Sequence, residues 1–198
     1  MKSLISKNRL ITSATVLLLL ICSYSAEAQR LIPKQSGVTA LVGTTGISQS
    51  GLVERNAYSI TLELSQYIKR ASYWFAGVEY RQRDTNYTHY KVPIQEYLVN
   101  GGYMHPVLVD PRKTVLVYAG VSATAGYQEL NRGDRLLPNG ATLIDRSRFV
   151  YGATPQCALE ALLTDNFILT LRAKGMFLWG SDLQLFYPSL NAGVKINF

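Results

Sequence analysis

The residues that could do chemistry in this chain are few and scattered. It has two histidines, His89 and His105, and two cysteines, Cys22 and Cys157. His89 has only Asp84 as a near acid, and no G-x-S-x-G nucleophile elbow, Walker loop or dinucleotide Gly motif occurs. So few His and Cys cannot be written into a zinc site of usual ligand spacing. Cys157 lies among strand-forming residues without an adjacent His or acid, which points to an inert thiol rather than a nucleophile. The richer set is ionic: Glu63, Glu79, Arg81, Glu96, Glu160, Arg172, Lys174 and Lys195 each fall on the polar side of an alternating segment. Four acids and four bases balance. Their chemistry is mutual neutralisation, because a charge buried without a partner costs several kcal/mol.

The elements that carry these charges read as strands. In Leu190–Phe198 (LNAGVKINF), Leu190, Ala192, Val194, Ile196 and Phe198 point one way, and Asn191, Gly193, Lys195 and Asn197 the other. Ala57–Tyr67 opposes Tyr58, Ile60, Leu62 and Leu64 to Ser59, Thr61, Glu63 and Ser65. The same period runs through Ser72–Arg81, Ile94–Met104, Thr114–Tyr127, Phe149–Leu163 and Phe167–Phe177. Gly37–Thr45 is a glycine-rich first strand, and Phe186–Phe198 the closing one. Pro155 predicts a bulge or weak pairing within the sixth. Trp74 and Tyr80 bound the apolar face of the third, as the interface girdles of a lipid-facing sheet require.

The connections agree with this count. Ile68–Ala71, His105–Lys113 and Thr164–Asn166 read as turns at one end. Gly46–Asn56, Gln82–Pro93, Gln128–Arg148 and Leu178–Leu185 read as longer polar loops at the other. The expected fold class is therefore all-β: an eight-stranded antiparallel up-and-down β-barrel of outer-membrane type over residues 29–198. Side chains fill the interior of such a barrel, so the eight charges should pair inside it and leave no aqueous pore. The 47% hydrophobic content is low for a helical membrane protein, and 13 Tyr against 6 Phe and 2 Trp favours strands and interfaces. A soluble sandwich would show the same alternation with its charges facing water. The apolar amino-terminal run, the terminal Phe198 and the aromatics at strand ends favour the membrane.

Residues 1–28 have the layout of a secretory signal peptide. Lys2, Lys7 and Arg9 precede the apolar run Ala14–Ile21, and Ala26-Glu27-Ala28 offers small residues for cleavage between Ala28 and Gln29. An uncleaved anchor and a lipoprotein modified at Cys22 are the alternatives; Ile21 stands where lipidation wants a small residue. Cleavage removes three cations and one anion, so +7 becomes +5, and it leaves Cys157 without a disulfide partner. The remaining Lys and Arg are interspersed with acids. A nucleic-acid groove is a poor reading despite the basic balance.

Gly126–Asp145 is the most individual stretch. It mixes Asn131, Gly133 and Asp134 with Leu136, Leu137 and Leu143, and it either plugs the barrel mouth or docks a partner. The run AGYQELNRGDRLLPNGATL at Ala125–Leu143 resembles the TraO family of conjugal transfer proteins of Bacteroides-type conjugative transposons. So do QRLIP at Gln29–Pro33, NGGY at Asn100–Tyr103, DPRKT at Asp110–Thr114 and LWGS at Leu178–Ser181. The resemblance implies an envelope component of the apparatus that moves DNA between cells, and it brings no catalytic residue.

The expected role is a non-catalytic barrel of the cell outer membrane with a structural or partner-docking part in conjugative transfer. Its partners would be the lipid bilayer and other conjugal transfer proteins, with no cofactor, metal, direct nucleic-acid contact or small-molecule substrate. The docking candidates are Asn131, Gly133, Asp134, Leu136 and Leu137. Two alternatives remain: a soluble periplasmic β-barrel that carries a small ligand, and an outer-membrane hydrolase using His89 at the rim.

Overall fold

The computed structural model describes residues 33–45, 57–87, 90–112, 114–130, 147–180 and 185–198. Its strands are β1 (Ser36–Thr45), β2 (Tyr58–Tyr67), β3 (Tyr73–Tyr87), β4 (Tyr90–Val109), β5 (Val115–Leu130), β6 (Ser147–Leu162), β7 (Phe167–Trp179) and β8 (Phe186–Asn197). Each pairs antiparallel with its neighbours in sequence, and β8 closes on β1, giving the eight-stranded up-and-down barrel that the alternation predicts. β2 shows why these residues make strands. Exposed and buried side chains alternate along its whole length, so one face is apolar and the other carries Ser59, Thr61, Glu63 and Ser65.

The register fixes the geometry. A path along Cα partners from Phe167 runs through Ile196, Val38, Leu64, Ala76, Gly101, Ala123 and Ala153, and returns to β7 at Phe177, ten residues on. That stagger requires strands tilted by roughly 35–45°. The circuit faces outward and is apolar throughout. At the β1–β8 seam, Gly193 opposes Leu41, and a Cβ there would strike the Ala40 carbonyl and the Leu41 backbone.

Two links differ from the sequence reading. The stretch 82–93, expected as a loop, continues β3 and β4 as a paired hairpin with Tyr87 opposite Tyr90. Strand that extends past a membrane needs no apolar face, so it gives no alternation of hydropathy to read. At the other end β4 runs on to Val109 rather than turning at His105, with a bulge between Pro106 and Leu108. Pro106 supplies no N–H, which suits a bulge. At Pro155 the partnership with β7 lapses, and the register is the same on either side of the gap.

Candidate functional site: the packed lumen and its rims

The inward faces of the strands meet in a lumen with three layers. Nearest the rim where β1 begins and β8 ends, Tyr67, Tyr73, Phe75, Met104, Leu116, Tyr118, Leu162 and Ile168 form a buried apolar plug. Lys195 and Glu160 are set into it. Lys195 Nζ donates to Glu160 Oε1 at 2.7 Å and lies 3.7 Å from the centre of the Tyr73 ring. The Tyr73 hydroxyl donates to the same oxygen at 2.7 Å. The aromatic face and the carboxylate together solvate a buried ammonium.

The middle layer ties the carboxy-terminal strands to the amino-terminal ones. Arg172 Nη1 on β7 reaches both oxygens of Glu63 on β2, at 2.7 and 2.6 Å. Lys174 Nζ donates to Glu79 Oε2 at 2.9 Å, and Asn100 Nδ2 to the same atom at 3.2 Å. Thr124 Oγ1 donates to Asn100 Oδ1 at 2.7 Å, which extends the chain of contacts across β3, β4 and β5. The gap left among Glu63, Phe75, Glu79, Asn100 and Lys174 has no room for a water molecule.

The third layer holds Glu96 between two guanidiniums. Arg83 Nη2 donates to Glu96 Oε1 at 3.0 Å, Gln128 Nε2 donates to it at 2.7 Å, and Arg81 Nη1 lies 3.2 Å from Oε2. Arg83 Cζ sits 4.0 Å from the centre of the Tyr187 ring. All eight charges singled out from the sequence are thus buried in one lumen, each at 5% exposure or less. Arg83 is a ninth buried charge outside the set read from the sequence, because 82–93 reads there as a loop; its parity with Arg81 is the available clue. The tyrosines that line the plug were likewise not singled out as partners of the charges.

The remaining candidates fall elsewhere. Cys157 is an exposed free thiol on the outward face, partnered by Ala119 and Ala173. His105 Nδ1 lies 2.9 Å from Ser72 Oγ at the rim where β1 begins and β8 ends. No acid is paired with that His among the described residues, so it lacks the orienting third group of a triad. His89, the loop residues Asn131, Gly133, Asp134, Leu136 and Leu137, and the cleavage pair Ala28 and Gln29 lie outside the described residues.

Outside, two sets of aromatics bracket the apolar circuit. Tyr80, Tyr97, Tyr127 and Phe149 are successive Cα partners across four strands. Trp74 and Tyr103 pair towards the opposite end, with ring centres 4.8 Å apart. On β7 the outward face runs from Phe167 to Trp179, which at about 3.3 Å per residue and a tilt of about 40° spans roughly 30 Å. That matches a bilayer's hydrocarbon thickness.

The family model of the conjugative transposon protein TraO matches residues 32–198. The chain belongs to the TraO family. No curated protein matches it. Among solved structures, this TraO-family chain is similar to the attachment invasion locus protein Ail of Yersinia pestis, solved in complex with the heparin analogue sucrose octasulfate. That match has 13% identity and a TM-score of 0.53, and covers 84% of this chain and 100% of Ail. Neisserial surface protein A matches at 16% identity and a TM-score of 0.51, covering 83% of this chain and 96% of that one. Outer membrane protein H of P. aeruginosa matches at 16% identity and a TM-score of 0.50, covering 83% and 99%. At these identities the likeness shows the fold alone, which is the outer-membrane β-barrel.

Proposed function

We propose that the chain is exported by a signal peptide cleaved between Ala28 and Gln29. It then inserts in the outer membrane and serves a conjugative DNA-transfer apparatus as a non-catalytic structural or docking component. The observation that carries this reading is an apolar outward circuit around a lumen filled by paired charges, in a chain of the TraO family. Such a barrel offers its partners rims and loops, and no passage. A ligand carrier would need space inside, and the middle layer has none. The docking candidates remain Asn131, Gly133, Asp134, Leu136 and Leu137.

The test has two stages. After fractionation the protein should stay with membranes in alkaline carbonate and migrate faster unheated than boiled; full release into the soluble fraction would falsify the placement. Deletion of residues 131–143 in cells carrying the whole transfer operon should then lower transfer frequency while insertion stays normal. Undiminished transfer from a normally inserted deletion would remove the loop from the docking role.

A further inference from the structure

We infer that the rim where β1 begins and β8 ends, from β1 to the β4–β5 turn, binds the phosphate groups of anionic phospholipids in the facing leaflet. The inference rests on the outer-membrane placement proposed above. Lys34, Lys69, Arg70 and Arg112 are exposed there, and none has an ion pair among the described residues. Among the described residues the facing acids are few. Asp110 already accepts from the Arg112 N–H and the Thr114 hydroxyl, each at 3.2 Å, and Asp165 stands on the β6–β7 turn. Phe198 lies beside β1, its carbonyl accepting from the Ser36 N–H at 3.2 Å.

The β2–β3 turn presents its cations at a conformational cost. Arg70 and Ala71 both have φ of 59°, in the left-handed region that a two-residue hairpin turn of this hand normally fills with Asn-Gly. Lys34, whose N–H donates to the Tyr67 carbonyl at 2.8 Å, has φ of 74°. The turn is also pinned from within: the Tyr118 hydroxyl donates to the Ala71 carbonyl at 3.1 Å, and Ser72 meets His105. Lys69 and Arg70 are therefore held in place. Backbone kept in a costly conformation by its surroundings is a recurrent mark of a working surface.

Depth selects the ligand. Lys69 and Arg70 follow Tyr67, the end of β2, by two and three positions. Even a fully extended chain on tilted strands would carry them at most about 8 Å past the Tyr67–Tyr73 row, and the headgroup layer of one leaflet is about 5–7 Å thick. Beside them, Val107, Leu108 and Phe198 are exposed apolar side chains. One corner thus offers hydrocarbon contact and, one short step further out, a cluster of cations. That is the profile of a phospholipid. An acidic protein segment would be met by cations standing clear of the headgroups.

The test uses the folded full chain, equilibrated with equal amounts of phosphatidylglycerol and phosphatidylcholine, and native mass spectrometry of the lipid it retains. Wild type should retain phosphatidylglycerol preferentially. Lys69→Gln with Arg70→Gln should lower the ratio by about 25-fold, at a contribution of roughly fivefold for each of the two surface cations. Arg112→Gln, on a separate turn, gives an independent and smaller drop if the double variant folds poorly. Equal retention of the two lipids, a ratio unmoved by the double variant, or displacement of phosphatidylglycerol by a polyglutamate peptide would overturn the inference. Failure of the wild type to enter vesicles of either lipid would show itself separately, as loss of the membrane placement.

Discussion

Glu63→Leu strikes the lumen where its consequences can be worked out. Arg172 is fully buried and uses one nitrogen for both Glu63 oxygens; Nε and Nη2 have no partner among the described residues. The neighbouring carboxylates of Glu79 and Glu160 are engaged by Lys174 and Lys195. The variant therefore strands a fully buried guanidinium, at an expected cost of about 3–5 kcal/mol. Arg172→Met strands the opposite charge at a comparable cost. The double variant Glu63→Leu/Arg172→Met replaces the pair by apolar groups of similar volume and should fall within about 1–2 kcal/mol of wild type. The assay is reversible urea unfolding in lipid vesicles, followed by the fluorescence of Trp74 and Trp179, which face outward near opposite ends. A single variant that loses less than about 1 kcal/mol, or a double variant that loses the sum of both singles, would refute the account of a lumen held by mutual neutralisation.

Other expectations follow from the same geometry. Ala123→Arg puts a charge into the apolar circuit and should cost about 2–4 kcal/mol in vesicle unfolding if Ala123 lies near the bilayer midplane; an unchanged midpoint would remove the circuit from the hydrocarbon. Cys157, on the same outward face, should react in intact membranes with a lipophilic maleimide and resist a sulfonated one until the barrel is unfolded. Rapid labelling by the sulfonated reagent would mean that this face meets water. Gly193→Ala drives a methyl into the β1–β8 seam and should destabilise the barrel by about 1–3 kcal/mol, read as a lower temperature for loss of the fast-migrating form. Ala71→Gly should raise the same temperature, since it relieves a left-handed alanine worth about 1 kcal/mol.

The membrane-embedded part of the fold was legible in the sequence because lipid enforces it. Leu62 and Glu63, or Leu171 and Arg172, differ so sharply in hydropathy that period two assigns each to its face. Beyond the bilayer that constraint ends, and 82–93 looked like a loop although Thr85, Tyr87, Tyr90 and Val92 extend the sheet. The error carried Arg83 with it. The inward set was readable one residue at a time, but its partnerships were not. That Glu63 would meet Arg172, or that Lys195 would lie over Tyr73, depends on which strands face each other across the lumen, and hence on the ten-residue stagger. The rim turn was opaque for another reason: nothing in Lys69-Arg70-Ala71 announces left-handed backbone, because the residues that usually adopt it are absent.

The layered filling of the lumen has a consequence for the cell that carries this protein. With the lumen filled by side chains among the described residues, a bacterium should be able to hold many copies without becoming leaky. High expression should leave unchanged its sensitivity to large antibiotics that an intact outer envelope turns away.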